Sequence, residues 1–358
     1  THPPARDYRN TPGPDHPKQC HLPAEALALR REALAAGIAG GDGGDGGLGV
    51  AVRLAVAVPL GVAVPNCTRV KSAAPMPRGM RDAKQFHRQD TTMTSPESAA
   101  AARRTVLVTG AASGIGAATA RRFLREGWNV VINHLEGQQA EAQAVAAGAT
   151  APGQRALCVA ADVTQDADCV RMLAATGEAF GALHALVNAA GISKMVPHSR
   201  LHDVSADDFQ RIYAVNTIGP FQMIRAAAPL LKAASTEPVR ASIVNISSVA
   251  ALMGSGSSVP YACSKAAVNA LTLSMARVLA PEVRVNAVCP VLVEQGFVHR
   301  LAPAMFDAFR EHQVKVSPLK RLGHPDEVAE AIYWLSTGAS MMTGSIVELD
   351  YGMHLTST

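Results

Sequence analysis

Residues 105–116 read TVLVTGAASGIG, a short β-prone run that leads directly into a loop with three glycines. Gly110, Gly114 and Gly116 have the spacing G-x-x-x-G-x-G, where a predicted strand ends and a predicted helix begins. Glycine allows the sharp turn and removes the Cβ that would hold a pyrophosphate away from the backbone. The amides at the start of the following helix would then face negative charge. The stretch therefore predicts a dinucleotide-binding loop, with Ser113 and Ile115 among its contacts.

Apolar runs alternate with Ala-rich helical stretches from here to the C-terminus. The strand candidates are TVLVT (105–109), NVVIN (129–133), ALCVAA (156–161), ALVNAA (185–190), SIVNIS (242–247), RVNAVCP (284–290) and SIVELD (345–350). Most are continuously apolar, which is typical of strands covered on both faces. Strands that alternate with helices imply right-handed crossovers. Residues 104–358 are therefore predicted to form a single α/β domain, a doubly wound parallel β-sheet of the Rossmann type.

The end of the second strand is expected to contact the adenosine ribose. A carboxylate there binds the 2′-hydroxyl of NAD, whereas its absence or a nearby cation suits the 2′-phosphate of NADP. Asn133 and His134 occupy this end, and the absence of an Asp favours NADP; NAD stays open because Glu136 lies close by. Further cofactor contacts are predicted after the third and fourth strands, at Asp162, Val163, Asn188, Ala189 and Gly191.

The most specific motif is YACSK, which begins at Tyr261 and ends at Lys265. Residues four apart share one face of a helix, so the phenol and the ammonium point into the same space. A neighbouring cation favours the phenolate, so we expect Lys265 to lower the pKa of Tyr261. Ser248 follows a predicted strand, where its hydroxyl can reach a substrate carbonyl. These three residues are predicted to be catalytic.

Taken together, these motifs resemble the short-chain dehydrogenase/reductase family in its single-domain form. The matching segments are TGAASGIG, DVT, NAAG, NTIGPF, SS followed by Y-x-x-x-K, VNAVCP, PLKRLGHPDEVAEAIYWL and MTGSIVELD. The resemblance implies that Asn216 is a fourth catalytic residue, which kinks a helix and supports a proton relay to the lysine. It also implies cofactor contacts at Pro290, Val293, Tyr261 and Lys265.

Three positions depart from the family pattern. Val291 and Gln295 stand where the family usually has Gly and Thr, and Tyr351 stands where it usually has Gly. The segment 296–323 corresponds to the mobile lid of the family. Its Phe and Met side chains would line a substrate pocket or simply pack on the sheet. An arginine there, such as Arg300 or Arg310, would meet an anionic substrate or remain solvated.

The resemblance implies hydride transfer between a nicotinamide cofactor and a small carbonyl or secondary alcohol. We expect carbonyl reduction with NADPH, of the kind catalysed by 3-oxoacyl-carrier-protein reductases. The alternatives are an NAD-dependent secondary-alcohol or sugar dehydrogenase and a non-catalytic protein that senses a dinucleotide on the same fold. The resemblance also implies a homo-oligomer, a dimer or homotetramer, packed through helices near 205–233 and 261–280.

Composition limits the other classes of partner. The formal net charge is +4, but residues 1–104 alone carry 14 Lys/Arg against 9 Asp/Glu, so the predicted domain is nearly neutral and no nucleic-acid partner is expected. The six cysteines do not have the C-x-x-C spacing of a zinc or redox site. We therefore expect no metal site, and free thiols suited to the cytoplasm.

The first hundred residues differ in character from the rest. They contain Pro-rich segments and the glycine tract GGDGGDGGLG. The apolar run 48–65 is interrupted by Arg53 and Pro59, which argues against a membrane span. We expect residues 1–100 to be a disordered or non-native extension, because Met93 precedes a self-sufficient domain.

Overall fold

The structure is a computed structural model that describes residues 103–238 and 240–356. The expectations for residues 1–100 and for the run 48–65 therefore lie outside the described residues. Within the described ranges, none of the helices has the length and hydropathy needed to cross a membrane.

Seven parallel strands form one sheet, in the order β3-β2-β1-β4-β5-β6-β7. Their bounds are β1 Thr105–Val108, β2 Asn129–His134, β3 Ala156–Ala160, β4 Ala185–Asn188, β5 Ala241–Ile246, β6 Val283–Pro290 and β7 Ile346–Leu349. All seven predicted strands are confirmed, as is the doubly wound topology. The central β1 pairs with β2 on one side and β4 on the other, so that Val108 lies beside both Ile132 and Val187.

Helices connect the strands and cover both faces of the sheet. They are α1 Gly114–Arg125, α2 Gln139–Ala146, α3 Asp166–Phe180, α4 Ala206–Tyr213, α5 Gly219–Ala234, α6 Ala250–Met253, α7 Val259–Leu279, α8 Phe297–Leu301, α9 Pro303–Val316 and α10 Pro325–Thr337. A π-helical turn, Ala214–Ile218, joins α4 to α5. Local signals set the helix starts: Ser205 and Asp208 form a reciprocal cap at α4.

Two separate apolar layers hold these helices against the sheet. On one face, α1, α2 and α10 pack around Phe123, whose ring lies edge-on to Trp128 and Tyr333 at centroid distances of 5.0 and 5.1 Å. On the other face, α3, α5 and α7 pack through side chains such as Met172 and Met223. Because both faces are covered, the carboxyl edge of the strands is the part of the sheet left for a ligand.

A buried arginine joins β6 to the end of α10. Arg284 is 6% exposed, and its guanidinium donates hydrogen bonds at 2.8–3.4 Å to the carbonyls of Leu335, Ser336, Ala339 and Met342. Burial lowers its pKa. The bonds to Leu335 and Ser336 satisfy carbonyls in the last turn of α10, which have no intrahelical donor, and the other two hold the segment that follows the helix.

Candidate active site

A crevice opens between β1 and β4, where the chain connections leave for opposite faces of the sheet. The Thr109 hydroxyl accepts hydrogen bonds from the amides of Ala189 and Ala190 at 2.9 and 3.1 Å. The backbones are so close that a Cβ on Gly110 would lie 2.8 Å from the Cα of Ala190. Crevices at such a switch point are where doubly wound sheets bind ligands.

The glycine loop has the conformation that its sequence predicts. Gly110 and Gly114 have φ values of +61° and +56°, which residues with a Cβ rarely adopt. A Cβ on Gly116 would lie 2.3 Å from the carbonyl oxygen of Gly110, so the helix start must be glycine to pack on the loop. A Cβ on Gly114 would meet nothing nearer than 3.8 Å, and this side of the loop is open to the crevice. This cradle fits a pyrophosphate.

A cleft of about 390 Å³ extends from this loop to the predicted catalytic pair. Most of the residues assigned from the sequence line it: Gly110, Ser113, Gly114, Ile115, Gly116, Asn133, Asp162, Val163, Ala189, Gly191, Ser248, Tyr261, Lys265, Pro290 and Val293. His134, Asn188 and Asn216 do not. The cleft joins the residues that would hold a dinucleotide to those that would move a proton.

Asn133 holds the glycine loop in position. Its side-chain oxygen accepts the Gly110 amide at 3.1 Å, and its side-chain nitrogen donates to the carbonyl of Ala161 at 2.9 Å. The side chain thus links the ends of three neighbouring strands. Because these hydrogen bonds orient the backbone, the Asn133 side chain has few donors and acceptors left to bind a ribose.

Two residues assigned to cofactor contact point into the protein instead. His134 is 2% exposed, and its Nδ1 hydrogen-bonds the carbonyl of Leu135 at 2.9 Å. Asn188 donates to the side chain of Asn245 at 2.8 Å, which in turn donates to Thr272. Both side chains lie beside the cleft and support its walls.

The catalytic candidates meet at the other end of the cleft. Tyr261 lies in the first turn of α7, and Lys265 one turn later, with its Nζ 5.7 Å from the centre of the phenol ring. Lys265 donates to the carbonyl of Ile246 at 2.7 Å. Ser248, which follows β5, hydrogen-bonds Tyr261. All three side chains are largely buried.

Burial dominates the pKa values of this pair and corrects one expectation. It raises the pKa of Tyr261 to about 12, although the hydrogen bond with Ser248 opposes the shift. It also lowers the pKa of Lys265 to about 8. The pKa of Tyr261 is therefore raised overall, whereas the sequence predicts a pKa below the ordinary value. Removing water destabilises the phenolate more than the surrounding groups stabilise it.

Asn216 lies in the π-helical turn between α4 and α5, where the resemblance places a kink. Its side chain donates to the carbonyl of Ile192 at 3.0 Å and to Ser264 at 3.0 Å, and accepts the amide of Ile192 at 2.9 Å. Gly191 separates it from the ammonium: a Cβ there would lie 3.4 Å from the Asn216 oxygen and 3.6 Å from Lys265 Nζ. Asn216 thus holds the loop that borders the lysine.

The segment after β6 forms the far wall of the cleft. Gly296, Val298 and Arg300 line it. In α9, by contrast, Phe306 is buried against the ring of His299 and Met305 is half exposed, so neither lines the cleft. The packing interpretation of these apolar residues therefore holds for α9.

The three departures from the family pattern lie outside the cleft as well. Val291 is buried and Gln295 is exposed, with the unusual φ of +53°. Tyr351 has a φ of +54°, in place of a glycine, and its hydroxyl donates to Glu327.

Some cleft residues were not assigned from the sequence. Leu135 and Gln138 line the adenosine end, and Arg300 lines the opposite wall. The Gln138 side chain accepts the Leu135 amide at 3.2 Å, a turn contact that the local spacing could have indicated. The sequence named Arg300 only as a lid arginine for an anionic substrate, and its place in the wall of this cleft had no local signal, because the lid is remote in the chain from the glycine loop.

Comparison with known proteins gives one consistent group. The sequence family described as enoyl-(acyl carrier protein) reductase matches residues 110–354. A ketoacyl reductase of the granaticin polyketide synthase from Streptomyces violaceoruber is 37% identical over 249 residues, covering 70% of this chain and 95% of the relative. The cis-4-hydroxycyclohexanecarboxylate dehydrogenase of Sinomonas cyclohexanicum is also 37% identical, covering 70% and 96%. A crystal structure of a short-chain dehydrogenase/reductase from Burkholderia xenovorans has a TM-score of 0.66 at 39% identity, covering 71% and 99%.

Proposed function

This chain belongs to the short-chain dehydrogenase/reductase family of oxidoreductases, and from that premise we propose that it reduces a small-molecule carbonyl with NADPH, using Tyr261 as the acid. One observation carries the proposal: Tyr261, Ser248 and Lys265 line the same cleft as the glycine loop. A dinucleotide held by that loop supplies the hydride. Among its relatives is a protein named as a ketoacyl reductase.

The residues have distinct roles in this proposal. The Ser248 and Tyr261 hydroxyls bind the carbonyl oxygen, and Tyr261 donates a proton to it. Burial raises the pKa of Tyr261, so the phenol is protonated at neutral pH and can donate a proton to the carbonyl oxygen. The Lys265 ammonium then stabilises the phenolate until it is reprotonated, and Asn216 keeps the loop beside the lysine in place.

The test replaces the phenol alone. Tyr261→Phe should lower kcat by about 10²–10⁴-fold, which is the usual contribution of a general acid, while NADPH affinity stays close to wild type. Tyr333→Phe is the matched control, because that ring lies on the opposite side of the sheet in α10. Turnover of the Tyr261 variant at a tenth of the wild-type rate or more would refute the assignment.

The preference for NADPH rests on the adenosine end of the cleft. Leu135 and Gln138 line the end of β2, and neither carries the carboxylate that would bind the 2′-hydroxyl of NAD. Calorimetric titration of the same sample with NADPH and NADH tests this. Tighter binding of NADH would favour the alternative, an NAD-dependent secondary-alcohol dehydrogenase, for which the relative named as a hydroxycyclohexanecarboxylate dehydrogenase is a precedent.

A panel of substrates separates the enzyme from a dinucleotide sensor. Ketones, β-keto esters and β-ketoacyl thioesters would be tested with reduced cofactor, and sugars and cyclic secondary alcohols with oxidised cofactor. Turnover of the keto substrates supports the proposal. Tight cofactor binding without turnover on any of them would favour the sensor.

We also propose a homo-oligomer, a dimer or tetramer, that works in the cytoplasm. Half-exposed apolar side chains on α5 and α7, Phe221, Leu273 and Val278, support the first point. The four described cysteines are free thiols, which supports the second. In analytical ultracentrifugation, Leu273→Glu should shift the protein towards the monomer, whereas Leu319→Glu, at another exposed site, should not.

A further inference from the structure

One cation of the cleft has no role in the mechanism above. Among the described residues that line the cleft, the basic side chains are Lys265 and Arg300. Lys265 is buried at the catalytic end. Arg300 is exposed, and it comes from the opposite wall, in the short helix α8.

Arg300 lies beside the glycine loop. Its Nη1 is 3.5 Å from the carbonyl oxygen of Gln295. That same oxygen is 3.8 Å from the point where a Cβ on Gly114 would stand. The lid backbone therefore lies close to the open side of the loop, and the guanidinium lies next to the same carbonyl oxygen. Gln295 itself has a left-handed φ of +53°.

Among the described residues Arg300 forms no ion pair, so no neighbouring carboxylate neutralises its positive charge. Its hydrogen bond to the Gln295 carbonyl is long, at 3.5 Å. Arg310, on the neighbouring helix, instead pairs with Asp307 at 3.2 Å. A guanidinium offers paired donors that match phosphate oxygens, so a free one at a cleft mouth suits a phosphate.

The loop itself leaves negative charge uncompensated. The stretch 109–116 contains no Lys or Arg. The glycine loop can therefore offer a phosphate only its backbone amides and the partial positive charge at the start of α1, which is equivalent to about half an elementary charge. A pyrophosphate carries about two negative charges at neutral pH. Gln295 occupies the position where the family pattern has a Thr on this wall, and the Gln295 side chain does not line the cleft.

We propose that Arg300 binds the cofactor pyrophosphate from the lid side and closes α8 over the glycine loop. The inference rests on the proposed function, since it needs a dinucleotide in the cleft. It assigns Arg300 to the cofactor and not to an anionic substrate.

The experiment measures dissociation constants by calorimetry, so it does not depend on turnover. The variants are Arg300→Gln, Arg300→Lys and the control Arg310→Gln, and the ligands are NADPH and NADH. Arg300→Gln should weaken both ligands by the same factor, about tenfold for a lost charged hydrogen bond. Arg300→Lys should recover part of the loss, and Arg310→Gln should bind as wild type does. Unchanged melting temperatures without ligand would show that the fold is intact.

Three outcomes would overturn the inference. Unchanged affinity of Arg300→Gln would remove the contact altogether. A loss confined to NADPH would move the guanidinium to the 2′-phosphate. Unchanged cofactor affinity with a raised KM for a carboxylate-bearing ketone would assign it to the substrate. If wild type binds neither dinucleotide, the proposed function fails, and this is a separate result from a variant without effect.

Discussion

The contact between Gly116 and Gly110 gives a sharp test of how the glycine loop is built. In Gly116→Ala, the new Cβ would lie 2.3 Å from the Gly110 oxygen and 2.9 Å from its carbonyl carbon. Both are backbone atoms, so no side chain can rotate away. Reaching an ordinary contact of 3.4 Å requires the loop to move by about 1 Å.

The expected cost follows from that displacement. Overpacking costs about 1–3 kcal/mol, and the better helix propensity of Ala returns up to about 1 kcal/mol. With the full gain subtracted, the net loss is about 0–2 kcal/mol, which corresponds to a fall in melting temperature of up to about 8 °C in a domain of this size. NADPH affinity should fall as well, because the displaced amides are those that face the pyrophosphate.

Gly177→Ala is the matched control, with the opposite sign. Gly177 lies inside α3, and a Cβ there would meet nothing closer than 3.8 Å, a methyl group of Leu230. This substitution should stabilise the protein by about 0.5–1 kcal/mol without changing cofactor affinity. Differential scanning fluorimetry and calorimetric titration measure both quantities. A Gly116→Ala protein that melts at or above the wild-type temperature and binds NADPH normally would refute the reasoning.

Two further predictions concern buried cations. Arg284→Ala should lower the free energy of unfolding by about 3 kcal/mol, because the carbonyls of Leu335 and Ser336 lose the guanidinium as their donor in a buried site. Exposed Arg277→Ala should stay within about 0.5 kcal/mol of wild type. Equal urea midpoints for the two variants would contradict this. The pKa of Lys265 is about 8 in the folded protein, below the ordinary value of 10.5. Between pH 8 and 10.5 the unfolded chain therefore binds more protons than the folded protein, so the free energy of unfolding rises with pH. Across that pH range, the free energy of unfolding of the wild-type protein should rise relative to that of Lys265→Met. If urea titrations give the same difference between the two proteins at every pH, Lys265 keeps its ordinary pKa.

The sequence by itself determined the sheet, the glycine loop and the spacing of the predicted catalytic pair. These features depend on local patterns: continuous apolar runs, a glycine at each position where a Cβ is excluded, and the four-residue repeat that places Tyr261 and Lys265 on one face of α7. Each pattern is legible because its physical cause acts within a few residues.

Only the tertiary structure decided which way the side chains point and how water is excluded. The sequence shows that His134 ends a strand, but the burial of its side chain depends on the helices that cover β2. The pKa of Tyr261 rises because residues distant in the chain enclose it, and no spacing of Tyr and Lys reveals that cost. Arg300 comes to face the glycine loop through the path of the lid, since a parallel sheet brings the ends of distant strands to one edge.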